Sequence, residues 1–225
     1  MGNFQTRSIC KSRFKVSLFG ILKFESKNFL GRLLFNQKPS LKKTEQNLLH
    51  LGCGNTILEG WTNTDFFSFN LFSRSKPDWM LDLRFPLNCP DNTWDGVFTE
   101  HTLEHLYPDQ ASELLQELYR TMKPGAWIRI TVPDLQKYVD YYLGKEVNEK
   151  FNQWETGCEA IRTLTQDYFH LSLWDSNLLK ICLQEVGFVN VQEVDFQQGN
   201  NPILLNDGEN RLWETLYMEA QKPFN

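Results

Sequence analysis

The stretch Leu48–Gly54, LLHLGCG, decides the fold of this chain. A short apolar run that ends at glycines is typical of a buried parallel strand followed by a tight turn. Gly52 and Gly54 have no Cβ atom, so the backbone there can adopt positive φ angles and a ligand can lie directly against it. Asp65 follows eleven residues after Gly54, at the end of the predicted second strand GWTNTDF. A carboxylate at that place suits the two hydroxyls of a ribose, which predicts a site for a nucleoside-type ligand.

The spacing of these glycines separates two classes of cofactor. A dinucleotide fold requires a third glycine, which lets the following helix pack closely and hold the pyrophosphate. In this chain the third position is Ile57, and no phosphate-binding run follows it. A glycine turn of this kind suits S-adenosylmethionine, which carries no phosphate. Because Gly-x-Gly alone is a weak signal, an ordinary strand-to-loop turn stays open as the alternative.

Three ordered segments carry a resemblance to a known family. They are LHLGCGNTILEGWTNTD at 49–65, MLDLRFPLNCPDNTWDGVFTEHTLEHL at 80–106 and ELYRTMKPGAWIRITVPDL at 117–135. They closely resemble class I S-adenosylmethionine-dependent methyltransferases, most of all the small type-11-like branch with Glu-His-x-x-Glu-His after the fourth strand. The resemblance covers Leu48 to about Pro223. It implies an α/β fold, a doubly wound Rossmann-like seven-stranded sheet with an antiparallel last strand, in a three-layer αβα arrangement.

The same resemblance and the apolar pattern place the domains and the elements. Residues 47–225 are expected to form the methyltransferase domain, and residues 1–46 a basic amphipathic arm with its linker. From Leu48 onward we expect strands and helices to alternate, with a polar loop at Ser68–Lys76 and an acceptor-binding insertion at Gly144–Thr165. The later strands are predicted at Trp79–Leu83, Trp94–Thr99, Ala126–Val132, Val189–Phe196 and Leu212–Gln221. The helices are predicted from Pro108 to Pro124-Gly125, over Leu135–Leu143 and over Ser176–Val186.

The resemblance also implies which residues bind the donor. Asp82 and Leu83 are expected to reach the adenine, although Asp82 could instead cap a turn. Glu100 is a candidate for the amino group of the donor, and Cys53 is interpreted as a small filler in the glycine turn. The complete predicted donor set is Leu51, Gly52, Cys53, Gly54, Asp65, Asp82, Leu83 and Glu100.

A cluster of histidines and glutamates follows the fourth strand. His101, Glu104 and His105 have the spacing i, i+3, i+4, which predicts one face of a helical turn. A histidine with a pKa near neutrality suits removal of a proton from an acceptor hydroxyl, so both histidines are candidates for the base, and Glu104 could orient an imidazole. His170 is a second candidate, because the resembled branch has a histidine just before its last helix.

Two other interpretations of this cluster stay open. His-x-x-Glu-His is also the inverted zinc-protease motif, which would make the protein a metal hydrolase. That motif needs a third ligand on another helix and a mostly helical context, whereas here it directly follows a strand, so we expect no metal ion. The simplest alternative is that these polar side chains cap and solvate a turn.

Cysteines and charge bear on location and partners. The five cysteines form no Cys-x-x-Cys pair and follow no signal peptide, so we expect free thiols in a reducing compartment, the cytoplasm. Residues 1–43 have ten Lys or Arg and one acid, a formal charge of +9, and the remainder has −14. An acidic catalytic domain argues against a nucleic-acid substrate. No apolar run is long enough to span a membrane.

The basic arm has an apolar pattern of its own. The pattern predicts an apolar face formed by Leu18, Ile21, Leu22, Phe29, Leu33 and Leu34, with Lys15, Lys23, Lys27 and Arg32 largely off it. Basic amphipathic segments often lie on anionic membranes, so peripheral contact with the inner membrane surface is one expectation. A helix docked on the domain, or a loose arm, is the alternative.

These observations predict a methyltransferase with S-adenosylmethionine as the donor. The acceptor is expected to be a small or saccharide-like hydroxyl compound, an inference that rests on the association of the resembled family with glycan pathways. A non-catalytic donor-binding or scaffold domain, tethered by its arm, is the main rival interpretation. The sequence leaves the oligomeric state open.

Overall fold

A computed structural model describes residues 17–35, 38–41, 45–67 and 76–224 of the chain. Seven strands form one mixed sheet in the order β3-β2-β1-β4-β5-β7-β6. The strands are β1 Leu48–Leu51, β2 Thr62–Asp65, β3 Trp79–Met80, β4 Trp94–Glu100, β5 Met122–Pro133, β6 Val189–Val194 and β7 Thr215–Gln221. Strands β1 to β5 are parallel, and β7 is antiparallel to both β5 and β6. The predicted seven-stranded, Rossmann-like α/β fold with an antiparallel end is therefore confirmed.

The helices lie on both faces of this sheet. They are α1 Leu18–Phe35, α2 Pro108–Thr121, α3 Leu135–Tyr142, α4 Gly157–Gln166 and α5 Ser176–Val186. Leu114, Leu115 and Leu118 of α2 are buried in the main core, as their helical spacing predicts. Each fully buried leucine stabilises the fold by about 1.5–3 kcal/mol relative to an exposed one. Pro108 is at the start of α2, and Gly187 ends α5 in the left-handed conformation, both as predicted.

A second core fills the segment where the alternation of strands and helices was expected to break. Tyr138 of α3 packs against Phe151 and Trp154, with ring centroids 5.0 and 5.6 Å away. Leu164 of α4 belongs to the same cluster. Aromatic side chains bury a large apolar area each, so this cluster fixes α4 beside the carboxyl edge of the sheet.

Several predicted boundaries are wrong, including those of β3, α2, β5 and β7. Strand β3 ends at Met80 instead of Leu83, because Asp82 forms a turn in which its carboxylate accepts a hydrogen bond from the Arg84 backbone N–H. Helix α2 ends at Thr121, and Pro124-Gly125 lie inside β5, whose first residue pairs with β4. Strand β7 begins at Thr215, after a short 3₁₀ turn.

The strict alternation of strands and helices also fails at two places. The described residues 52–61 between β1 and β2, and 81–93 between β3 and β4, contain no helix. The first connection is held by the side chain of Asn63, which accepts from the Leu58 N–H and donates to the Leu58 carbonyl. The connection 52–61 has only ten residues, and it must also form the turns at both of its ends. Too few residues remain for a helix of ordinary length.

Helix α1 packs against the segments that directly follow β2 and β3. Arg32 forms an ion pair with Asp82, and Glu25 accepts hydrogen bonds from Arg84 at 2.6 and 2.9 Å. The rings of Phe24 and Phe66 are 5.4 Å apart. The arm is thus docked on the domain over its described part, which is the alternative that the sequence left open.

The outer face of α1 is apolar and exposed. All six residues of the predicted apolar stripe are exposed, as are Phe19 and Leu30: Leu18, Phe19, Ile21, Leu22, Phe29, Leu30, Leu33 and Leu34. In the described ranges, no helix is both long and apolar enough to cross a lipid bilayer. Residues 1–16, which include Lys15 and Cys10, and most of the predicted loop Ser68–Lys76 lie outside the described residues.

Candidate active site

The parallel strands bring the predicted donor residues to one edge of the sheet. Gly52 follows β1, Asp65 ends β2 and Glu100 ends β4, so these three positions lie at the carboxyl ends of adjacent strands. Open α/β sheets bind their ligands at this edge. The strand order therefore places the glycine turn between Asp65 and the histidine-glutamate cluster.

The two glycines of the turn have different surroundings. Both have positive φ, +67° at Gly52 and +53° at Gly54, which confirms the expectation for this turn. A Cβ atom at Gly52 would lie 2.2 Å from the Thr102 hydroxyl, so glycine is required there by packing. A Cβ atom at Gly54 would meet no atom within 4 Å. Gly54 thus borders open space, where a ligand can lie against the backbone.

Asp65 lies beside this turn, because the Cys53 N–H donates to the Thr64 carbonyl at 2.8 Å. The Asp65 Oδ1 accepts from the Phe66 N–H at 2.7 Å. Burial raises the pKa of Asp65 above its usual value, and the neighbouring backbone N–H groups of Phe66 and Gly54 oppose that increase in part. The carboxylate is therefore held in place beside the glycine turn.

Asp82 has two cationic partners. Its buried carboxylate pairs with Arg32 of α1 and accepts from Nε and Nη2 of Arg84, both at 2.9 Å. These bonds raise the pKa of Arg84. Leu83 is buried as well and belongs to the main core. Asp82 thus caps its own turn while it lies at the predicted adenine position.

Two cavities border helix α1 near the Arg32–Asp82 ion pair and near Asp65. One, of about 320 Å³, is lined by Arg32, Phe67, Trp79, Asp82 and Phe85 among others. The other, of about 270 Å³, lies between Asp65, Phe66 and residues of α1 that include Lys23 and Lys27. Helix α1 therefore forms a wall of the space where the nucleoside end of the donor is predicted to bind.

The remaining predicted donor residues have mixed surroundings. Leu51 is buried, and its carbonyl accepts from the Thr102 hydroxyl at 3.4 Å. Glu100 Oε1 accepts from the Gly208 N–H at 2.8 Å, which joins β4 to the segment before β7. Burial and the nearby carboxylates of Asp65 and Asp78 raise the pKa of Cys53 to about 12, so it remains a thiol at neutral pH. The cysteines of the described residues are all free.

His101 occupies a structural junction. It has a positive φ of +49° directly after β4, and its side chain is buried. Its Nε2 lies 2.8 Å from the Thr215 hydroxyl, and its Nδ1 lies 3.2 Å from Arg211 Nη1 and 3.3 Å from Glu104 Oε1. Both ring nitrogens therefore have partners. The predicted single helical turn is wrong, because only Leu103–His105 form a 3₁₀ helix and His101 precedes it.

Glu104, His105 and His170 converge on one point. One potential ligand atom from each lies within 4.8 Å of the others. The rings of His105 and His170 are 5.1 Å apart and edge-to-face. The Glu104 carbonyl accepts from the N–H groups of Leu171 and Ser172, at 2.7 and 3.1 Å, and so fixes the His170 segment to this turn.

The backbone around these histidines sets their ring orientation. His170 Nδ1 donates to the Leu164 carbonyl at 2.7 Å, and His105 Nδ1 is 3.4 Å from the Phe169 carbonyl. Tyr168 and Phe169 have positive φ angles of 61° and 60°, which costs conformational energy and turns the chain sharply just before His170. In both histidines Nδ1 thus faces a backbone carbonyl, and Nε2 is the other potential ligand or base atom.

Burial and charge set the protonation of the cluster. Burial lowers the pKa of His170, which therefore stays neutral at pH 7. Burial alone would raise the pKa of the fully buried Glu104, but the close contact with His101 and the electrostatic interaction with the neighbouring imidazoles lower it overall. The site thus combines a buried carboxylate with imidazoles.

The comparison with protein families classifies the chain. A family model described as a methyltransferase domain matches residues 25–193. The chain belongs to this methyltransferase family. The match begins within α1 and includes the glycine turn, Asp65, Asp82 and the Glu104 cluster.

The first of three solved structures supports the same fold. This methyltransferase domain is similar to an S-adenosylmethionine-dependent methyltransferase from Archaeoglobus fulgidus, with a TM-score of 0.53 and 18% identity over 92% of this chain and 100% of that chain. It is also similar to phosphoethanolamine N-methyltransferase 2 of Haemonchus contortus in complex with S-adenosylmethionine, at 0.48 and 15% over 91% and 53%. A Methanosarcina mazei S-adenosylmethionine-dependent methyltransferase gives 0.47 and 16% over 80% and 93%. A comparison with curated sequences finds no match.

Proposed function

We propose that this methyltransferase moves a methyl group from S-adenosylmethionine to a hydroxyl of a small or saccharide-like acceptor. The observation that carries the proposal is the open glycine turn at Gly54 beside the Asp65 carboxylate, on the sheet edge that also bears the Glu104 cluster. Ribose hydroxyls donate well to a carboxylate held in this way. The donor is proposed to contact Leu51, Gly52, Cys53, Gly54, Asp65, Asp82, Leu83 and Glu100.

The transfer itself is an in-line displacement. The acceptor oxygen attacks the methyl carbon, the carbon–sulfur bond breaks, and sulfur keeps the electron pair as neutral S-adenosylhomocysteine. The sulfonium is already a good leaving group, so the protein mainly positions the acceptor and excludes water. The hydroxyl proton must go to a base.

We assign this base to His105 or His170. Nδ1 of each faces a backbone carbonyl, so Nε2 is the nitrogen that can accept the proton, whereas both ring nitrogens of His101 have partners. Glu104, ionised and buried beside them, stabilises the imidazolium that forms. His101 is a positioning residue, because it joins the cluster to Arg211 and Thr215.

The test is product formation with a panel of acceptors. Purified protein is incubated with S-adenosylmethionine and with sugars, sugar derivatives, amines and thiols, and S-adenosylhomocysteine is measured by mass spectrometry. The proposal expects release that depends on a hydroxyl compound. Donor binding without release across the whole panel would instead support the non-catalytic scaffold, and release with amines alone would refute the hydroxyl acceptor.

For the arm, we propose peripheral contact with an anionic membrane surface. The exposed apolar face of α1 and the +9 formal charge of residues 1–43 support it. Its inner face contacts the domain through Arg32 and Glu25, so only the outer face is available to lipid.

A further inference from the structure

We propose that Glu104, His105 and His170 form a binding site for a divalent transition-metal ion. Nε2 of the two histidines and a carboxylate oxygen of Glu104 are the ligand atoms. Two imidazoles and one carboxylate are a common protein ligand set for catalytic zinc, and they leave a coordination position open. The proposed ion would use the same Nε2 atoms as the proposed base, so the two assignments compete, but metal binding can be measured without turnover.

The Glu104 carboxylate is the observation that points to a ligand. It is fully buried, and neither oxygen has a hydrogen-bond donor in acceptable geometry among the described residues. His101 Nδ1 lies 3.3 Å from Oε1 but makes no hydrogen bond to it in acceptable geometry. Burying a carboxylate without full compensation is costly, and a metal ion at this point would remove that cost.

The two histidines have the arrangement that metal ligands usually show. The Nδ1–H of His170 donates to the Leu164 carbonyl, and Nδ1 of His105 faces the Phe169 carbonyl. Such contacts fix the tautomer and leave Nε2 as the ligand atom. One potential ligand atom from each of the three residues lies within 4.8 Å of the others, and a tetrahedral zinc site needs separations of roughly 3.4 Å. Metal binding therefore requires the three side chains to move closer together.

The site differs from the metal motif in the sequence. The His-x-x-Glu-His motif would use His101 and His105, but His101 is directed to Thr215 and Arg211. The second histidine comes instead from His170, which no local spacing links to the motif. His105 and His170 are partly exposed, so an ion can enter from solvent.

Protons and metal ions compete for the same lone pairs. Metal affinity is therefore expected to fall as the pH is lowered from 7.5 to about 5.5, where histidines become protonated. A bound ion would also prevent both imidazoles from accepting a proton, and would instead lower the pKa of a hydroxyl that it coordinates. Only this last consequence rests on the proposed function.

The experiment is a titration of the chelator-stripped full chain with Zn²⁺, followed by calorimetry and by melting temperature. Co²⁺ is used as a spectroscopic probe of tetrahedral coordination. We expect one ion per chain and a higher melting temperature with metal. Glu104→Gln, His105→Ala and His170→Ala should each weaken binding by at least about tenfold to a hundredfold.

Two further variants make the result decisive. Cys158→Ser removes an exposed thiol that could bind zinc by itself and should leave the affinity unchanged. His101→Gln should keep one ion per chain, whereas the sequence motif predicts its loss. Three results would overturn the proposal. They are the absence of stoichiometric binding, binding that is unchanged in all three ligand variants, and loss of binding in Cys158→Ser.

Discussion

The side chains around the glycine turn have separable roles. Gly52 is fixed by its packing against Thr102, whereas Gly54 and Asp65 face the proposed donor. At the end of β4, His101 joins three segments and His105 faces the cluster. Single substitutions can therefore distinguish donor binding, proton transfer and scaffold.

Asp65→Asn is expected to weaken donor binding. The amide cannot accept as strongly from two ribose hydroxyls and loses the charge, so the affinity for S-adenosylhomocysteine should fall by about 1.5–3 kcal/mol. Calorimetry measures this change directly. Asp91→Asn, in the turn at the opposite edge of the sheet, is the control and should bind like wild type. Equal affinity for Asp65→Asn and wild type would remove Asp65 from the donor site.

The histidines are expected to divide into two classes. His105→Ala or His170→Ala should lower turnover by about 10²–10⁴-fold, while melting temperature and donor affinity stay near wild type. His101→Ala should lower the melting temperature, because it removes the contacts that join the end of β4 to Thr215 and Arg211. Turnover, melting and donor affinity are measured for all three variants. If neither His105→Ala nor His170→Ala slows turnover selectively, the base lies elsewhere or is not needed.

The donor edge could be predicted from the sequence, and the full cluster could not. Leu48–Gly54 and Asp65 are close in the chain, and strand and glycine patterns are local signals. Arg211 and Thr215 reach His101 from 110 and 114 residues away, and no spacing rule carries that information. His170 was found only through the family resemblance, and its contact with His105 depends on the unusual backbone at Tyr168 and Phe169.

At the scale of elements, the structure departs from the pattern mainly in the connections. Residues 52–61 and 81–93 form loops where helices were expected, and α1 packs near that side of the edge. Helix α1 has a high apolar content on nearly every side, so its sequence alone did not show which face would contact the domain. Asn28 and Gly31 face the domain, but neither has a large apolar side chain that would mark the buried face in the sequence.

The outer face of α1 is expected to bind anionic vesicles. Leu22→Glu combined with Leu33→Glu places two charges on that face and should abolish sedimentation with vesicles that contain phosphatidylserine, since these leucines lose their apolar contact. Salt should weaken wild-type sedimentation, because each basic residue near the surface contributes roughly 1 kcal/mol. Leu178→Glu, on the exposed side of α5, is the matched control. Sedimentation of the double variant at the wild-type level would contradict membrane contact.

At the scale of the whole molecule, a buried ion cluster joins the sheet to the segment before β7. Arg129 of β5 pairs with Asp207 at 2.6 Å and with Glu219 at 3.0 Å, and all three side chains are fully buried. Arg129 also donates to the carbonyls of Asp195 and Gln198. One guanidinium thus holds the whole connection between β6 and β7 against the sheet.

Arg129→Met is expected to destabilise the protein strongly. It leaves two buried carboxylates without a cation, so the free energy of unfolding should fall by about 3–5 kcal/mol. Urea denaturation followed by circular dichroism measures the loss. Lys145→Met breaks the exposed pair with Asp140 and should change the stability by less than about 1 kcal/mol. Similar losses for both variants would show that the buried cluster is not a major determinant of stability.

Helix α1 presents Arg32 to Asp82 on one side and leucines to solvent on the other. A membrane surface that binds those leucines also restricts the position of Arg32. A donor that binds the Asp82 carboxylate would change the Arg32–Asp82 ion pair as well. Two equilibria that share one rigid element are thermodynamically coupled, and each must alter the other by the same factor. Donor affinity measured on vesicles and in free solution therefore reports the sign and the size of that coupling.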